Sequence, residues 1–292
     1  MTFNPNADIG GGKASKRGRN TGIAVGGGLG VVALFLLSQL LGVDLTGLVG
    51  GGGQPATTDS SLEQCLTGSD ANENIECRMK GASASLEAYW SQQGAPEIGL
   101  AYVSPRDLVL FDGATNTGCG GASSATGPFY CPPDQTIYID VTFFDELRSR
   151  FGSSGGPLAE MYVVAHEWGH HVQNIAGILE RSQDGQTGPT SNAVRVELQA
   201  DCFAGAWAAD ASTVPDESGV PFLQEITPEQ YTSALDAAAA VGDDRIQEAT
   251  QGQVSPHTFT HGTSEQRVRW FETGFDRGAG ACDTFAVDGA AL

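Results

Sequence analysis

The chain has 292 residues, 40% hydrophobic and 17% charged, which is enough to bury a core in one large domain or two smaller ones. Its 35 acidic residues outnumber its 15 basic residues, so the formal net charge is −20 at pH 7. A charge of this sign repels phosphate backbones and excludes a broad role in binding nucleic acid.

An uncharged run of 23 residues occupies positions 21–43. A helix needs about 20 apolar residues to cross a bilayer, so the run predicts a single transmembrane helix with the lipid bilayer as a partner. A cleaved signal peptide is the alternative. Its apolar region is usually about 7–15 residues and ends in a small-residue cleavage site, so the length of this run favours an uncleaved anchor.

The segments on either side of the run predict an orientation. Residues 1–20 are polar, show no hydrophobic period and include the basic residues Lys13, Lys16, Arg17 and Arg19. We expect a cytoplasmic tail without a fold of its own, and the positive-inside rule then places the remaining chain outside the cytoplasm. Residues 44–60 are rich in glycine and small polar residues, which indicates a flexible linker, so the folded domain is expected over 61–292.

All six cysteines follow the apolar run, where an oxidising compartment permits disulfides. Proximity in the sequence favours three pairs: Cys65 with Cys77, Cys119 with Cys131, and by remainder Cys202 with Cys282. Buried free thiols are the alternative, above all for Cys202, which lies in an apolar helical pattern.

Periodicity and turn signals predict an α+β domain with a small β-sheet. In chain order, the predicted elements are a helix over about 74–92, strands at 100–103, 108–111 and 136–141, and helices over 158–175, about 191–209, from 227 and from 263. The Gly/Ser-rich segment 113–135 is expected to be a loop.

The helix over 158–175 contains the pattern His166-Glu167-Trp168-Gly169-His170. Two histidines four residues apart project from one face of a helix, so their nitrogens can converge on a metal ion such as zinc. Glu167 stands where a carboxylate can take a proton from water whose pKa zinc lowers to about 7. We therefore predict one catalytic Zn²⁺, with Glu167 as the general base.

A catalytic zinc needs a third protein ligand. Glu197 follows His170 by 27 residues on the next predicted helix, and Asp201 lies one turn further along. Their neighbours are apolar, which favours a buried pair over two acids on a solvated face. We predict that Glu197 binds the metal and that Asp201 orients a zinc histidine.

The motifs HEWGHH at 166–171 and ELQADCFAG at 197–205 resemble the bacterial putative neutral zinc metallopeptidase family, within the gluzincin arrangement of HExxH followed by ExxxD. Further stretches that resemble it are GPFYCPPD at 127–134, YIDVTFF at 138–144 and HGTSEQRVRWF at 261–271. The resemblance covers most of residues 60–285. It implies a zincin-like catalytic domain with His166, His170 and Glu197 as ligands and Glu167 as base.

Residues outside these motifs complete the predicted site. His261 is the first candidate to stabilise the transition state and His257 the second, although His261 could instead be a cap or a partner of another site residue. We expect Arg267 to pair with a site carboxylate, and His171 to point away from the zinc.

These features together predict a membrane-anchored zinc metallopeptidase acting on a peptide or protein substrate. Strand 136–141 is expected to present an edge along which an extended substrate pairs. The alternative from another class is a catalytically silent, zinc-stabilised binding or scaffold protein outside the cytoplasm. A structural zinc site would not need Glu167, which favours the enzyme.

Overall fold

The computed structural model describes residues 2–17 and 59–292. Its strands are β1 (Ser15–Arg17), β2 (Asp59–Ser61), β3 (Asp107–Phe111), β4 (Ala114–Thr117), β5 (Gly120–Ser123), β6 (Phe129–Cys131) and β7 (Thr136–Asp140). Its α-helices are α1 (Gly68–Glu73), α2 (Ile75–Tyr89), α3 (Ala95–Glu97), α4 (Phe143–Ser149), α5 (Pro157–Ile175), α6 (Asn192–Asp210), α7 (Pro228–Ala240), α8 (Asp243–Gln251) and α9 (Ser264–Arg277). The α+β class is confirmed.

The transmembrane helix predicted over 21–43 lies outside the described residues, as does most of the linker predicted over 44–60. Within the two described ranges, no helix is both long enough and apolar enough to cross a membrane.

A mixed sheet has the strand order β2-β1-β3-β7-β6. Strands β1, β3 and β7 run parallel, whereas β2 and β6 are antiparallel to their neighbours. Because β7 is paired on both sides, the expectation that strand 136–141 presents a free edge is wrong. A strand with a neighbour on each side has no row of backbone groups left for a substrate, and β6 is the end strand on that side.

The first residues of the chain belong to the folded domain. Phe3 and Ile9 are fully buried, and β1 lies inside the sheet between β2 and β3. The prediction of a tail without a fold over 1–20, with the domain starting at 61, is therefore wrong for residues 2–17. This segment buries isolated apolar side chains against several different elements, so it shows no hydrophobic period in the sequence.

Most predicted helices are confirmed with their caps. Thr227 and Thr263 each form a capping box with the residue three positions on, at the starts of α7 and α9. The short helices α1, α3, α4 and α8 were not predicted. Residues 100–103 are not a strand, and the segment 113–135 is more than a loop because it contains the β4-β5 hairpin and β6.

Helix α6 packs against both α5 and α9, and Trp168 on α5 and Trp207 on α6 are among the largest buried side chains. The close approach of α6 to α9 depends on Gly205 and Gly274. A Cβ atom at either position would overlap a backbone carbonyl of the other helix. Two helices joined in this way form a rigid support for the side chains that α6 presents to α5.

The three predicted disulfides are confirmed: Cys65–Cys77, Cys119–Cys131 and Cys202–Cys282. The third connects α6 to the C-terminal segment, and no cysteine in the described ranges is free. The alternative of buried free thiols is therefore excluded.

Candidate metal centre

Helix α5 carries three of the predicted site residues, His166, Glu167 and His170, within a short stretch of its length. It begins at Pro157, whose fixed backbone suits a first turn, and nearly all of its length is buried. His166 and Glu167 are buried and His170 is partly exposed. The two histidine rings lie 4.8 Å apart, so they face the same region as the four-residue spacing requires.

Gly169 allows α6 to reach this region. A Cβ atom at position 169 would lie 2.9 Å from Cα of Ala200 on α6, closer than side-chain atoms pack. The absence of a side chain therefore sets how closely the two helices approach. Glu197 lies one turn before Ala200 on α6, and this approach brings its carboxylate to the histidines.

His166, His170 and Glu197 form a cluster whose potential ligand atoms all lie within 4.8 Å of one another. Nε2 of His166 lies 3.2 Å from Oε2 of Glu197, and Nε2 of His170 lies 3.5 Å from Oε1. Two imidazole nitrogens and one carboxylate oxygen are the donor set of a catalytic zinc site that leaves one position open. The predicted ligands are brought together.

The other ring nitrogen of each histidine has a partner of its own. Nδ1 of His166 lies 2.8 Å from Oδ1 of Asp201, and Nδ1 of His170 lies 2.9 Å from Oε1 of Gln173. When each Nδ1–H donates to its acceptor, both Nε2 lone pairs face the cluster. The residues present therefore fit a zinc ion, and Asp201 lies where the sequence predicted it.

Asp201 is the centre of a buried polar network. Its Oδ1 accepts a hydrogen bond of 2.5 Å from the hydroxyl of Tyr162 and one of 3.0 Å from Nη2 of Arg267. Nη1 of Arg267 also lies 3.8 Å from Glu197. The expectation that Arg267 pairs with a site carboxylate is confirmed, and its positive charge offsets part of the negative charge buried here.

Electrostatics keep Glu197 ionised. Burial raises the pKa of Glu197, but His170 and His166 outweigh it and hold the pKa well below the ordinary value. Burial lowers the pKa of His166, yet Asp201 outweighs it and raises that pKa to about 10. A proton and a metal ion therefore compete for His166.

Glu167 differs from Glu197 although both are acids of the same site. Burial is the main cause that raises the pKa of Glu167 above its ordinary value, and His170 and His166 partly oppose this. A carboxyl with a raised pKa holds a proton more readily than an ordinary glutamate, as a proton-transferring group must.

His261 faces the cluster from the loop before α9. Its Nδ1 lies 3.3 Å from Oδ1 of Asp243, the first residue of α8, and its charge lowers the pKa of Glu197. Burial lowers the pKa of His261, but the bond to Asp243 and the negative charges of Glu197 and Asp243 together outweigh it, so the net shift is upward. His257, the second candidate, is exposed, and its backbone oxygen accepts a hydrogen bond of 2.7 Å from the Thr187 hydroxyl.

His171 points away from the cluster, as predicted. Its Nε2 lies 2.7 Å from the carbonyl oxygen of Val103, and its Nδ1 lies 3.0 Å from the hydroxyl of Tyr130. It connects α5 to the segment before β3 and to β6, and its role is structural.

Three site residues escaped the sequence analysis: Gln173, Tyr162 and Asp243. Gln173 follows His170 by three positions on the same helix, a spacing that predicts neighbouring side chains. Tyr162 precedes His166 by four positions, a spacing that also predicts neighbouring side chains on a helix. Asp243 has no such signal, because it reaches His261 from another helix.

Comparisons with known proteins agree with this site. A family model described as "putative neutral zinc metallopeptidase" matches residues 4–285. The Mycobacterium tuberculosis protein named "Uncharacterized protein Rv2575" is 49% identical over 258 residues, 86% of this chain and 85% of the relative. The Escherichia coli K12 protein named "Uncharacterized protein YpfJ" is 42% identical over 266 residues, 89% of this chain and 86% of the relative. No solved structure matches significantly. The chain belongs to the putative neutral zinc metallopeptidase family.

Proposed function

We propose that the protein is a zinc-dependent metallopeptidase that hydrolyses peptide bonds. The observation that carries the proposal is the convergence of His166, His170 and Glu197 on one point, with an additional buried glutamate, Glu167, in the same site. A structural zinc site would be expected to close its fourth position with another Cys or His. No fourth such ligand joins the cluster in the described residues.

The chain's own residues have distinct tasks in this reaction. When bound, zinc supplies Lewis-acid polarisation of the scissile carbonyl and lowers the pKa of water. The Glu167 carboxylate takes a proton from the attacking water and passes it to the leaving amine. Glu197 remains ionised as a ligand because of the positive groups around it.

His261 is the proposed donor to the oxygen that becomes negative in the transition state. Its Nδ1–H donates to Asp243, so on the protonated ring, which the raised pKa of His261 favours, the Nε2–H is left to donate. Asp243 also accepts hydrogen bonds from the backbone N–H groups of Thr260, His261 and Gly262, at 2.8, 2.7 and 3.0 Å. This carboxylate therefore sets the position of the whole loop that presents the histidine.

The substrate is proposed to be a peptide or protein in extended form. With β7 paired on both sides, the end strand β6 is the candidate for pairing with it. The hydroxyl of Tyr130 on β6 lies 3.0 Å from both Nδ1 of His171 and Nδ2 of Asn174, so β6 runs beside the helix that carries the metal ligands. A peptide along β6 would thus lie beside α5.

We also propose that the domain works outside the cytoplasm and is attached to a membrane through residues 21–43. Three disulfides support an oxidising compartment. The attachment rests on the length and composition of the apolar run.

Replacement of Glu167 by Gln tests the enzymatic role. We expect Glu167→Gln to retain zinc, because Glu167 is not a ligand, and to lower the cleavage of a peptide library by at least about 100-fold, the usual contribution of general acid–base catalysis. The control is Glu248→Gln, on the exposed side of α8. Zinc binding without cleavage in the wild type would favour the scaffold alternative.

A further inference from the structure

The segment 2–17 is bound to the domain through specific backbone contacts. The backbone N–H groups of Thr2 and Phe3 both donate to Oδ1 of Asn72, at 3.0 Å, and Nδ2 of Asn72 donates back to the carbonyl oxygen of Phe3 at 2.9 Å. The N–H of Asn4 donates to the carbonyl of Phe222 at 2.9 Å. The side chain of Phe3 packs beside Gly81 on α2 and is fully buried.

The same segment continues into the central sheet. Ser15 and Lys16 pair in parallel with Val109 and Leu110 of β3, and the Ser15 hydroxyl donates to Oδ2 of Asp107 at 2.6 Å. β1 is the neighbour of β3 in this sheet, and β3 is also the neighbour of β7. Removal of β1 would expose the edge of β3, a strand whose side chains are mostly buried.

The segment also lies directly against a disulfide-bonded loop. The N–H of Ile9 donates to the carbonyl of Leu66, and the N–H of Gly68 donates to the carbonyl of Ala7, both at 2.9 Å. Leu66 follows Cys65, which is bonded to Cys77 on α2. The loop that receives residues 7–9 is therefore fixed by a kind of bond that forms and persists in oxidising compartments.

Two of the basic residues that predicted a cytoplasmic tail, Lys16 and Arg17, have partners inside this fold. Lys16 forms an ion pair of 2.5 Å with Glu76. Arg17 donates to the carbonyl oxygen of Asn116 at 2.7 Å and lies over the ring of Tyr138. These charged side chains therefore contribute to the fold. Their presence is for that reason weaker evidence that the segment stays in the cytoplasm.

From these contacts we propose that residues 2–17 share the oxidising compartment of the zinc domain and that both ends of the chain lie on the same side of the membrane. A segment that completes the core cannot be folded on the opposite side of a bilayer from that core. The first and last described residues thus belong to one body, whatever path residues 18–58 take. This replaces the single crossing expected for residues 21–43, because one crossing would put the N-terminus inside the cytoplasm and the zinc domain outside it.

Protease access in spheroplasts tests the proposal without any measurement of catalysis, so its outcome is independent of the proposed enzymatic function. The full-length chain is expressed in two versions, with an epitope tag at the N-terminus or at the C-terminus. We expect externally added protease to remove both tags before lysis, while a cytoplasmic protein stays intact. Protection of either tag alone, or of both tags, would overturn the proposal.

A second measurement tests the packing on the purified full-length chain, in case a tag disturbs residues 2–17. Phe3→Ala removes a fully buried ring, and we expect Tm to fall by about 5–15 °C. The matched control is Asn6→Ala, at an exposed position of the same segment, with no change expected. An unchanged Tm for Phe3→Ala would show that the segment is not part of the core and would also overturn the proposal.

Discussion

Oε1 of Gln173 lies 2.9 Å from Nδ1 of His170, one turn along the same helix. The Gln173 amide is itself fixed, because its Nε2 donates to the carbonyl of Val196 at 2.7 Å and to Oε1 of Gln199 at 3.1 Å. Its oxygen must therefore face His170 as an acceptor. This orients the ring so that Nε2 faces the metal position, as Asp201 does for His166.

Replacement of Gln173 by Met should weaken zinc binding by about 10- to 100-fold, because His170 loses the acceptor that orients it. The affinity is measured by competition with a chelator of known strength. Gln251→Met, at an exposed position at the end of α8, is the control and should leave the affinity unchanged. Equal affinities for both variants would show that Gln173 does not orient His170.

The buried ion pair between Asp201 and Arg267 makes a prediction about stability. Asp201→Ala leaves the Arg267 charge buried without this partner, and we expect the free energy of unfolding to fall by about 3–5 kcal/mol. Urea unfolding of the zinc-free protein measures it. The double variant Asp201→Ala/Arg267→Met should recover part of the loss. A cost below about 1 kcal/mol for Asp201→Ala, typical of a surface pair, would contradict this account.

Gly169 should not tolerate a side chain. Gly169→Ala places a methyl group 2.9 Å from Cα of Ala200, so α5 and α6 must separate. We expect a loss of about 1–3 kcal/mol in stability together with weaker zinc binding, because Glu197 moves away from the histidines. Gly121→Ala is the control, since a Cβ there meets nothing within 4 Å. Zinc affinity equal to that of the wild type in Gly169→Ala would be inconsistent with this packing.

His171 predicts a dependence of stability on pH. Asn174 donates to the Tyr130 hydroxyl, which can donate to Nδ1 of His171, while Nε2–H donates to the carbonyl of Val103. This arrangement needs the neutral ring, and burial lowers the pKa of His171 below its ordinary 6.5. The unfolded chain therefore binds a proton at higher pH than the folded protein does. The stabilisation is complete above about pH 6.5 and is lost as the pH falls below it.

The matching experiment compares the wild type with His171→Gln, both kept zinc-free with a chelator, in urea unfolding between pH 7 and pH 5. The free energy of unfolding of the wild type should fall more steeply, by up to about 1.4 kcal/mol per pH unit for one proton. Other titrating groups are common to both proteins and cancel in the difference. Identical slopes would mean that His171 is not held neutral in the fold.

The sequence analysis correctly predicted the site residues that depend on spacing within a helix. His166, His170, Glu197 and Asp201 follow from helical periodicity and from the cost of burying unpaired acids, and the structure brings all four together. Some contacts between distant segments were missed. Asp243 reaches His261 from a separate helix. The residues around Asp243 and around His261 show no spacing in the sequence that would predict this contact.

The two errors in the sheet have a common cause. The sequence of β7 by itself is compatible with an edge strand. Its pairing with β3 and β6 depends on the order of strands in the sheet, which the alternation of residues within one strand does not reveal. Residues 2–17 resemble a disordered tail because composition cannot show that Phe3 and Ile9 fit cavities formed by residues far along the chain.

Zinc stoichiometry of the purified full-length chain, which retains residues 2–17, tests the central claim most directly. The wild type should hold about one zinc per chain, His166→Ala and Glu197→Ala should lose it, and the exposed control Glu248→Ala should keep it. A folded wild type without zinc, or a Glu197→Ala variant that binds zinc as tightly as the wild type, would contradict the three-ligand site and the peptidase function built on it.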